Sequence, residues 1–456
     1  MVPPFRTLYT ARWVLPIAAA PIDHGAVLVE EGRIAWVGAA DEASPPAGVT
    51  VVPLGEAVLM PGLVNAHSHL ELTGMRGFLE GLDFREWLRT LTVARRDLLT
   101  ERDLLDASRL GIVEALRHGV TTLADCTDSV MPITAMHELG VRGIGYVEVF
   151  GPDPAQCTPA IVRLRERVEA LRTGDTALVR TGVSPHAPYT VSAALFRATA
   201  EYARAEGLPM AVHVAESAAE TAFVCDGLGP FAERLRERGI AVAPRARSPI
   251  ALLEDTGVLA AQPLLIHVIR ADEDDFARIA QHDASIVHCP VSNAKLGQGI
   301  AALDRMLAHG IRTGLGSDSV ASNDRMHLVD EARQAVLFHA IRSGVPDSLD
   351  AHAALALATR GGAEALGLAH EVGTLERGKA ADLAAFPLDP AVVGPVHDPA
   401  VALVHVLAGR ATASLVTVGG RELVRDGVVT GADPQWLVRQ AATAARLREW
   451  RGRGAP

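Results

Sequence analysis

From Val58 to about Ala365 the chain alternates short apolar runs with longer stretches in which apolar residues recur every three or four positions. The short runs fall near residues 58–65, 121–125, 141–150, 178–184, 209–215, 263–268, 285–289 and 311–317, and they read as buried strands. The stretches between them read as amphipathic helices, one face being marked by Leu104, Leu105, Ala107, Leu110, Ile112, Val113 and Leu116. Eight such repeats predict an α/β fold closed into a (β/α)8 TIM barrel, whose chemistry sits at the C-terminal ends of the strands. Outside this region, strand-like runs occur at Gly25–Glu30 and Gly32–Gly38, and again at Ala413–Val418 and Arg421–Val429. Each set is too small to bury a core alone. Asp433-Pro434 opens a basic terminal helix that runs to about Arg451.

The most informative stretch is Pro61–Gly77, PGLVNAHSHLELTGMRG. Here an apolar run ends in His67 and His69. On an extended backbone, residues two apart share a side, so both rings can grip one metal ion. Seventeen histidines in 456 residues give roughly 0.6 such pairs by chance, so the spacing proves little. Position carries the argument: a buried strand that ends in two histidines, followed by Gly74 and Gly77, reads as a barrel strand opening into an active-site loop.

Composition narrows the function class. A chain of 456 residues accommodates a barrel plus an accessory domain. The formal net charge of -11 leaves no basic excess to neutralise phosphates, which argues against a nucleic-acid partner. Arg95-Arg96 accordingly reads as a solvated helix face. Cys126, Cys157, Cys225 and Cys289 include no C-x-x-C pair, which fits a reducing, cytoplasmic setting and excludes a cysteine-cluster zinc site. The run Trp13–Pro21 is interrupted by Pro16 and the residues after it read as strands, so a secretion leader is not expected. No window is long enough for a membrane span, so no membrane partner is expected.

Five further segments follow the histidine pair in order: SPHAPYT (Ser184–Thr190), HVAES (His213–Ser217), the strand reaching His267, GLGSD (Gly314–Asp318) and GTLERGKAADL (Gly373–Leu383). Together with PGLVNAHSHLELTGMRG they resemble the amidohydrolase superfamily, in the branch that contains adenosine-type, guanine and S-adenosylhomocysteine deaminases and the triazine chlorohydrolases. The resemblance covers nearly the whole chain. It implies that the two chain ends pair into one small β-sandwich domain, with residues 1–56 and 369–456 flanking a barrel over 57–368. It implies one divalent metal ion held by His67, His69, His213 and Asp318. Three imidazoles and one carboxylate, with a position left open for water, suit Zn2+ or Fe2+. Lys295 and Lys379 are the only lysines in the chain, and the fourth strand ends in His186, so a lysine-bridged pair of metals is not expected. The resemblance also assigns catalytic roles. Glu216 donates a proton to the substrate ring, His267 orients the nucleophile, and Asp318 takes the water's proton and passes it to the departing group.

For the substrate, the resemblance makes His186 a contact residue and HCPVSNAKLGQGI (His288–Ile300) a pocket segment. His288 and Asn323 are equally suited to bracing the strand end and its loop. Gly227–Leu259 resembles an insertion found in adenosyl-type and aminodeoxyfutalosine deaminases. A ribose-binding glutamate expected after Trp87-Leu88 is missing, VARRDLL standing nearby. The expectation is therefore deamination of an adenine-type nucleoside, with 6-aminodeoxyfutalosine of menaquinone biosynthesis as the specific substrate and Arg76 and Arg85 as candidate partners for its carboxylate. Alternatives are a guanine, adenosine or S-adenosylhomocysteine deaminase, a triazine-type hydrolase and, from a different class, a metal-free scaffold protein. Relatives in this branch point to a homodimer.

Overall fold

A computed structural model describes residues 6–453. Eight parallel strands form the barrel: Leu63–Ser68, Val120–Thr127, Arg142–Val149, Val179–Pro185, Ala211–Val214, Leu264–His267, Ser285–His288 and Thr313–Leu315. They pair as two four-stranded sheets. Isolated parallel bridges from Val183 to Met210 and from Ser68 to Asp318 close the ring. The second bridge matters for function, because it joins the His67–His69 strand end to the Asp318 strand end.

Alternation along the strands separates two apolar layers. Val64, Ala66, Ala124, Ile144, Tyr146, Ala211, Leu264, Ile266 and Val287 pack into one cluster inside the barrel. Leu63, Leu123, Val147, Val149, Val183, Val212 and Leu265 face outward and pack with helix residues such as Ile112, Leu116, Leu164 and Phe196. A strand buried on both faces needs apolar residues at nearly every position, which is why these runs stand out in the sequence.

The strand expected over 58–65 is two strands. Ala57–Pro61 pairs antiparallel with Leu383–Pro387 and parallel with Arg6–Val14, in a nine-stranded sheet built from both chain ends. The barrel begins only at Leu63. Gly62 divides them, because a Cβ there would lie 2.2 Å from the Thr121 side chain. The other seven expected strands each overlap an observed one.

The terminal helix Pro434–Gly452 is capped by Asp433, whose side chain accepts from Gln435 N. It lies against the helix Glu101–Arg117, where Arg439 pairs with Asp106 and Gln440 Nε2 donates to Asp103 O at 2.7 Å. Its Leu447 and Trp450 join a cluster with Leu72, Met75, Phe78 and Trp87, beneath the loop after the first barrel strand and the helix Phe84–Leu98. No described helix is long and apolar enough to cross a membrane.

Candidate active site

The strand ends bring His67, His69, His213, His267 and Asp318 together. His69 Nε2 lies 3.3 Å from His213 Nε2, and Asp318 Oδ1 lies 3.3 Å from His67 Nε2 and 3.7 Å from His69 Nε2. A tetrahedral ion with bonds of about 2.05 Å has donor-to-donor edges of about 3.3 Å, so these spacings fit one ion. The ring orientations fit as well. His69 Nδ1 donates to Cys126 O at 2.9 Å and His213 Nδ1 is directed at His186 O at 3.3 Å, which leaves both Nε2 atoms as acceptors facing the same point. His67 Nε2 is buried with no hydrogen-bond partner, an arrangement that a cation resolves.

Electrostatics place every member in the protonation state a cation needs. Burial pulls His67 down to about 4 and lowers His69, His213 and His267, so the imidazoles are neutral. Burial would raise Asp318, but the His67 ring 3.3 Å away, with His267 and His69, holds it well below the usual carboxylate range. Asp318 is further fixed by Ser292 Oγ at 2.5 Å and Ser322 Oγ at 3.0 Å on Oδ2, and by Ser319 N at 2.6 Å on Oδ1.

Left-handed backbone occurs at these strand ends. Ala215, His267, Val268 and Asp318 have φ of +53°, +76°, +44° and +58° without being glycine. For His267 the reason is visible. Alternation sends Leu265 outward and Ile266 inward, so a continued strand would turn His267 toward the helices. The left-handed turn brings it into the cavity instead, where Nδ1 meets Asn293 Oδ1 at 2.9 Å and Nε2 faces Glu216 Oε1 at 3.7 Å.

His69, His213, His267 and Asp318 line a cavity of about 460 Å3, within the range of small-molecule sites. Glu216 lines it too and is only 6% exposed; burial and the charge of Asp318 push its carboxyl up to about 8. His186 also reaches the cavity, its Nδ1 held by Thr190 Oγ1 at 2.8 Å and its ring brought down to about 3 by burial. Apolar walls come from Phe84, Trp87, Leu88, Leu91, Phe150 and Tyr189.

Several expected residues stand elsewhere. Arg76 pairs with Glu114 on the surface and Arg85 is exposed on its helix; neither lines the cavity. The arginines that do line it are Arg95 and Arg96; the reading of the pair as a solvated face is corrected for Arg95, which is largely buried, while Arg96 is exposed. Arg95 bridges Glu71 at 2.7 Å and Asp128 at 2.9 Å, while Arg96 holds its neighbour Asp97. His288 is buried and absent from the cavity lining; Asn323 holds the loop, donating to Ser317 O at 2.7 Å.

Sequence reasoning missed Glu71, Asp128, Glu148 and Glu220. Glu220 accepts from the backbone N–H of Ala215 at 2.7 Å and of Glu216 at 3.0 Å, which fixes the bend that presents Glu216. Ser217-x-x-Glu220 carries the spacing of a capping box, the one signal that could have found it.

Comparison with known proteins accords with this geometry. The amidohydrolase family profile matches residues 58–429. The chain belongs to the amidohydrolase family. As an amidohydrolase it is a hydrolase acting on carbon–nitrogen bonds. It is 33% identical over 438 residues, 95% of this chain and 94% of the relative, to a 5-methylthioadenosine/S-adenosylhomocysteine deaminase of Nitratidesulfovibrio vulgaris. A deaminase of the same description from Desulforudis audaxviator is 33% identical over 97% of this chain and 98% of its own length. Among solved structures, a zinc-bound adenosine deaminase from Xanthomonas campestris superposes with a TM-score of 0.84 at 27% identity, covering 98% of both chains. The zinc-bound atrazine chlorohydrolase of Arthrobacter aurescens gives 0.82 at 25% identity, over 97% of this chain and 99% of its own. An aminofutalosine deaminase of Helicobacter pylori shares the fold, with a TM-score of 0.80 at 20% identity over 92% of this chain and 100% of its own.

Proposed function

We propose that this amidohydrolase deaminates the adenine ring of a nucleoside by hydrolysis, with His67, His69, His213 and Asp318 holding one divalent ion, Zn2+ or Fe2+. The observation that carries the reading is Glu216. It is a buried carboxyl that keeps its proton near neutral pH, in the same cavity as the ionised Asp318. A proton donor and a proton acceptor at one reacting centre are what an addition–elimination on an aromatic amidine requires. When bound, the ion supplies a water of lowered pKa at the open position. Glu216 gives its proton to the ring nitrogen next to the amine-bearing carbon as water adds to that carbon. Asp318 accepts the water's proton and returns it to the amine, which leaves as ammonia, while the proton of the added hydroxyl restores the Glu216 carboxyl as the ring carbon becomes a carbonyl. His267, with its Nδ1 proton fixed by Asn293, presents a neutral Nε2 to the attacking oxygen.

Within this class the sequence favours 6-aminodeoxyfutalosine, a step of menaquinone biosynthesis, in a cytoplasmic homodimer. A carboxylate on that substrate needs a cation. Arg95 is largely buried between Glu71 and Asp128, whereas Arg96 is exposed at the cavity wall and paired only with its neighbour Asp97, so Arg96 takes the role first given to Arg76 and Arg85. The curated relatives favour a second reading, 5-methylthioadenosine or S-adenosylhomocysteine. Ammonia release by the metal-loaded protein on adenosine, 5-methylthioadenosine, S-adenosylhomocysteine, 6-aminodeoxyfutalosine, guanine and an aminotriazine tests both. Turnover confined to adenine nucleosides is expected, and the fastest of them names the substrate. Ammonia from guanine or the triazine alone would refute the reading.

A further inference from the structure

We propose that Asp125 is a positioning residue for the metal site, fixing the chain on either side of His69 so that the His69 ring is presented to the ion; this rests on the metal set of the proposed function.

His69 stands where a strand becomes a helix. The barrel strand Leu63–Ser68 ends one residue before it, and a short 3-10 helix, Leu70–Met75, begins one residue after it. A residue at such a junction has neither the strand ladder nor the helical repeat to define it, and the first N–H groups of the helix need partners from outside. His69 supplies no side-chain cap, since its Nδ1 is engaged with Cys126 O at 2.9 Å.

Asp125 provides what is missing. It lies on the neighbouring strand Val120–Thr127, in register with Ser68, and is fully buried. Its Oδ2 accepts from Leu70 N at 2.7 Å and from Ser68 Oγ at 2.8 Å, the hydroxyl lying 3.2 Å from Ala124 O as well. Its Oδ1 has no hydrogen-bond partner, so the side chain acts through Oδ2 alone. Asp125 therefore grips the residues before and after His69, while the next residue, Cys126, grips the ring. These contacts from two consecutive residues aim His69 Nε2 at the point it shares with His213 Nε2, 3.3 Å away. Burial and the charge of Glu71 push the Asp125 carboxyl well above the usual carboxylate range. A neutral carboxyl still accepts both bonds on Oδ2, so Asp125 holds the junction in either protonation state. Outer contacts that orient a metal ligand are worth about 10- to 100-fold in metal affinity.

The test measures three quantities on wild type, Asp125→Ala, Asp125→Asn and His69→Ala: the Zn2+ Kd by competition with a chromophoric chelator, the visible spectrum of the Co2+-loaded protein, and the Tm of the metal-free protein. Asp125→Ala is expected to bind Zn2+ ~10- to 100-fold more weakly, with a Co2+ spectrum moved toward that of His69→Ala. Asp125→Asn keeps an acceptor oxygen in place of Oδ2 and is expected to stay within ~3-fold of wild type. A wild-type Kd in Asp125→Ala would overturn the assignment, even beside a lowered Tm, because Asp125 would then brace the fold alone. A weaker Kd with an unchanged Co2+ spectrum, or an Asp125→Asn as weak as Asp125→Ala, would overturn it too. Should Asp125→Ala not fold, Ser68→Ala removes one of the two bonds: ~2- to 10-fold weaker Zn2+ binding is expected, and an unchanged Kd overturns the assignment. His69→Ala with wild-type affinity and spectrum would refute the four-residue metal set itself. None of these readouts uses ammonia release, so the assignment and the deaminase reading fail separately.

Discussion

At the scale of single residues, the proposed catalysis depends on a carboxyl kept protonated where a carboxylate is ordinarily charged. Burial raises Glu216 to about 8, and the Asp318 charge adds to it. The protonated form, the ring's proton donor, is full below that value and is lost as pH rises through it. We expect kcat/KM to decline above about pH 8. Glu216→Gln, which cannot give up a proton, should lower kcat about 10²- to 10⁴-fold with metal content unchanged. A variant with near-wild-type turnover and the same alkaline limb would remove Glu216 from this role. Gly316 shows how tightly the neighbouring geometry is set: a Cβ there would meet His67 N and Cβ at 2.9 Å each.

Among elements, the barrel strands and the residues gathered at their ends were legible because both are local. Two-sided burial makes continuous apolar runs, and His67, His69, His213, His267 and Asp318 each end one. What stayed hidden depends on loops and distance. Nothing in YVEVF marks Glu148 as inward, since that requires the strand's phase in the closed barrel. The Glu71–Arg95 pair joins the loop after the first strand to the following helix, and only the fold tells a cavity wall from a solvated face. The terminal helix carries Leu447 and Trp450 into the cluster that supports Trp87 and Phe84 on the cavity wall. Leu447→Ala removes buried apolar packing worth about 2–5 kcal/mol. It should raise KM while leaving metal content unchanged. An unaltered KM in a destabilised protein would show that the helix does not position the wall.

For the whole molecule, the sheet made from the chain ends is locked to the barrel at Asp382, only 3% exposed. Arg142, at the start of the third barrel strand, donates to it through Nε at 2.8 Å and Nη2 at 3.2 Å. Gly419 N, from the terminal hairpin, adds a third bond at 2.7 Å, and Gly62 N donates to the Asp382 carbonyl at 2.8 Å. Asp382→Ala strands a buried guanidinium and should cost about 3–5 kcal/mol, read as a fall in Tm. Replacing both partners with apolar residues should recover much of the loss. Equal Tm for Asp382→Ala and wild type would show that the pair does not hold the two parts together. The central claim, that one ion in the His67, His69, His213 and Asp318 set carries the hydrolysis, is tested most directly by titrating metal-free protein with Zn2+ or Fe2+ while following ammonia release from 5-methylthioadenosine and adenosine. Activity should be absent without metal and rise to a plateau at about one equivalent per chain. Ammonia release without metal, or a plateau only at about two equivalents, would contradict it.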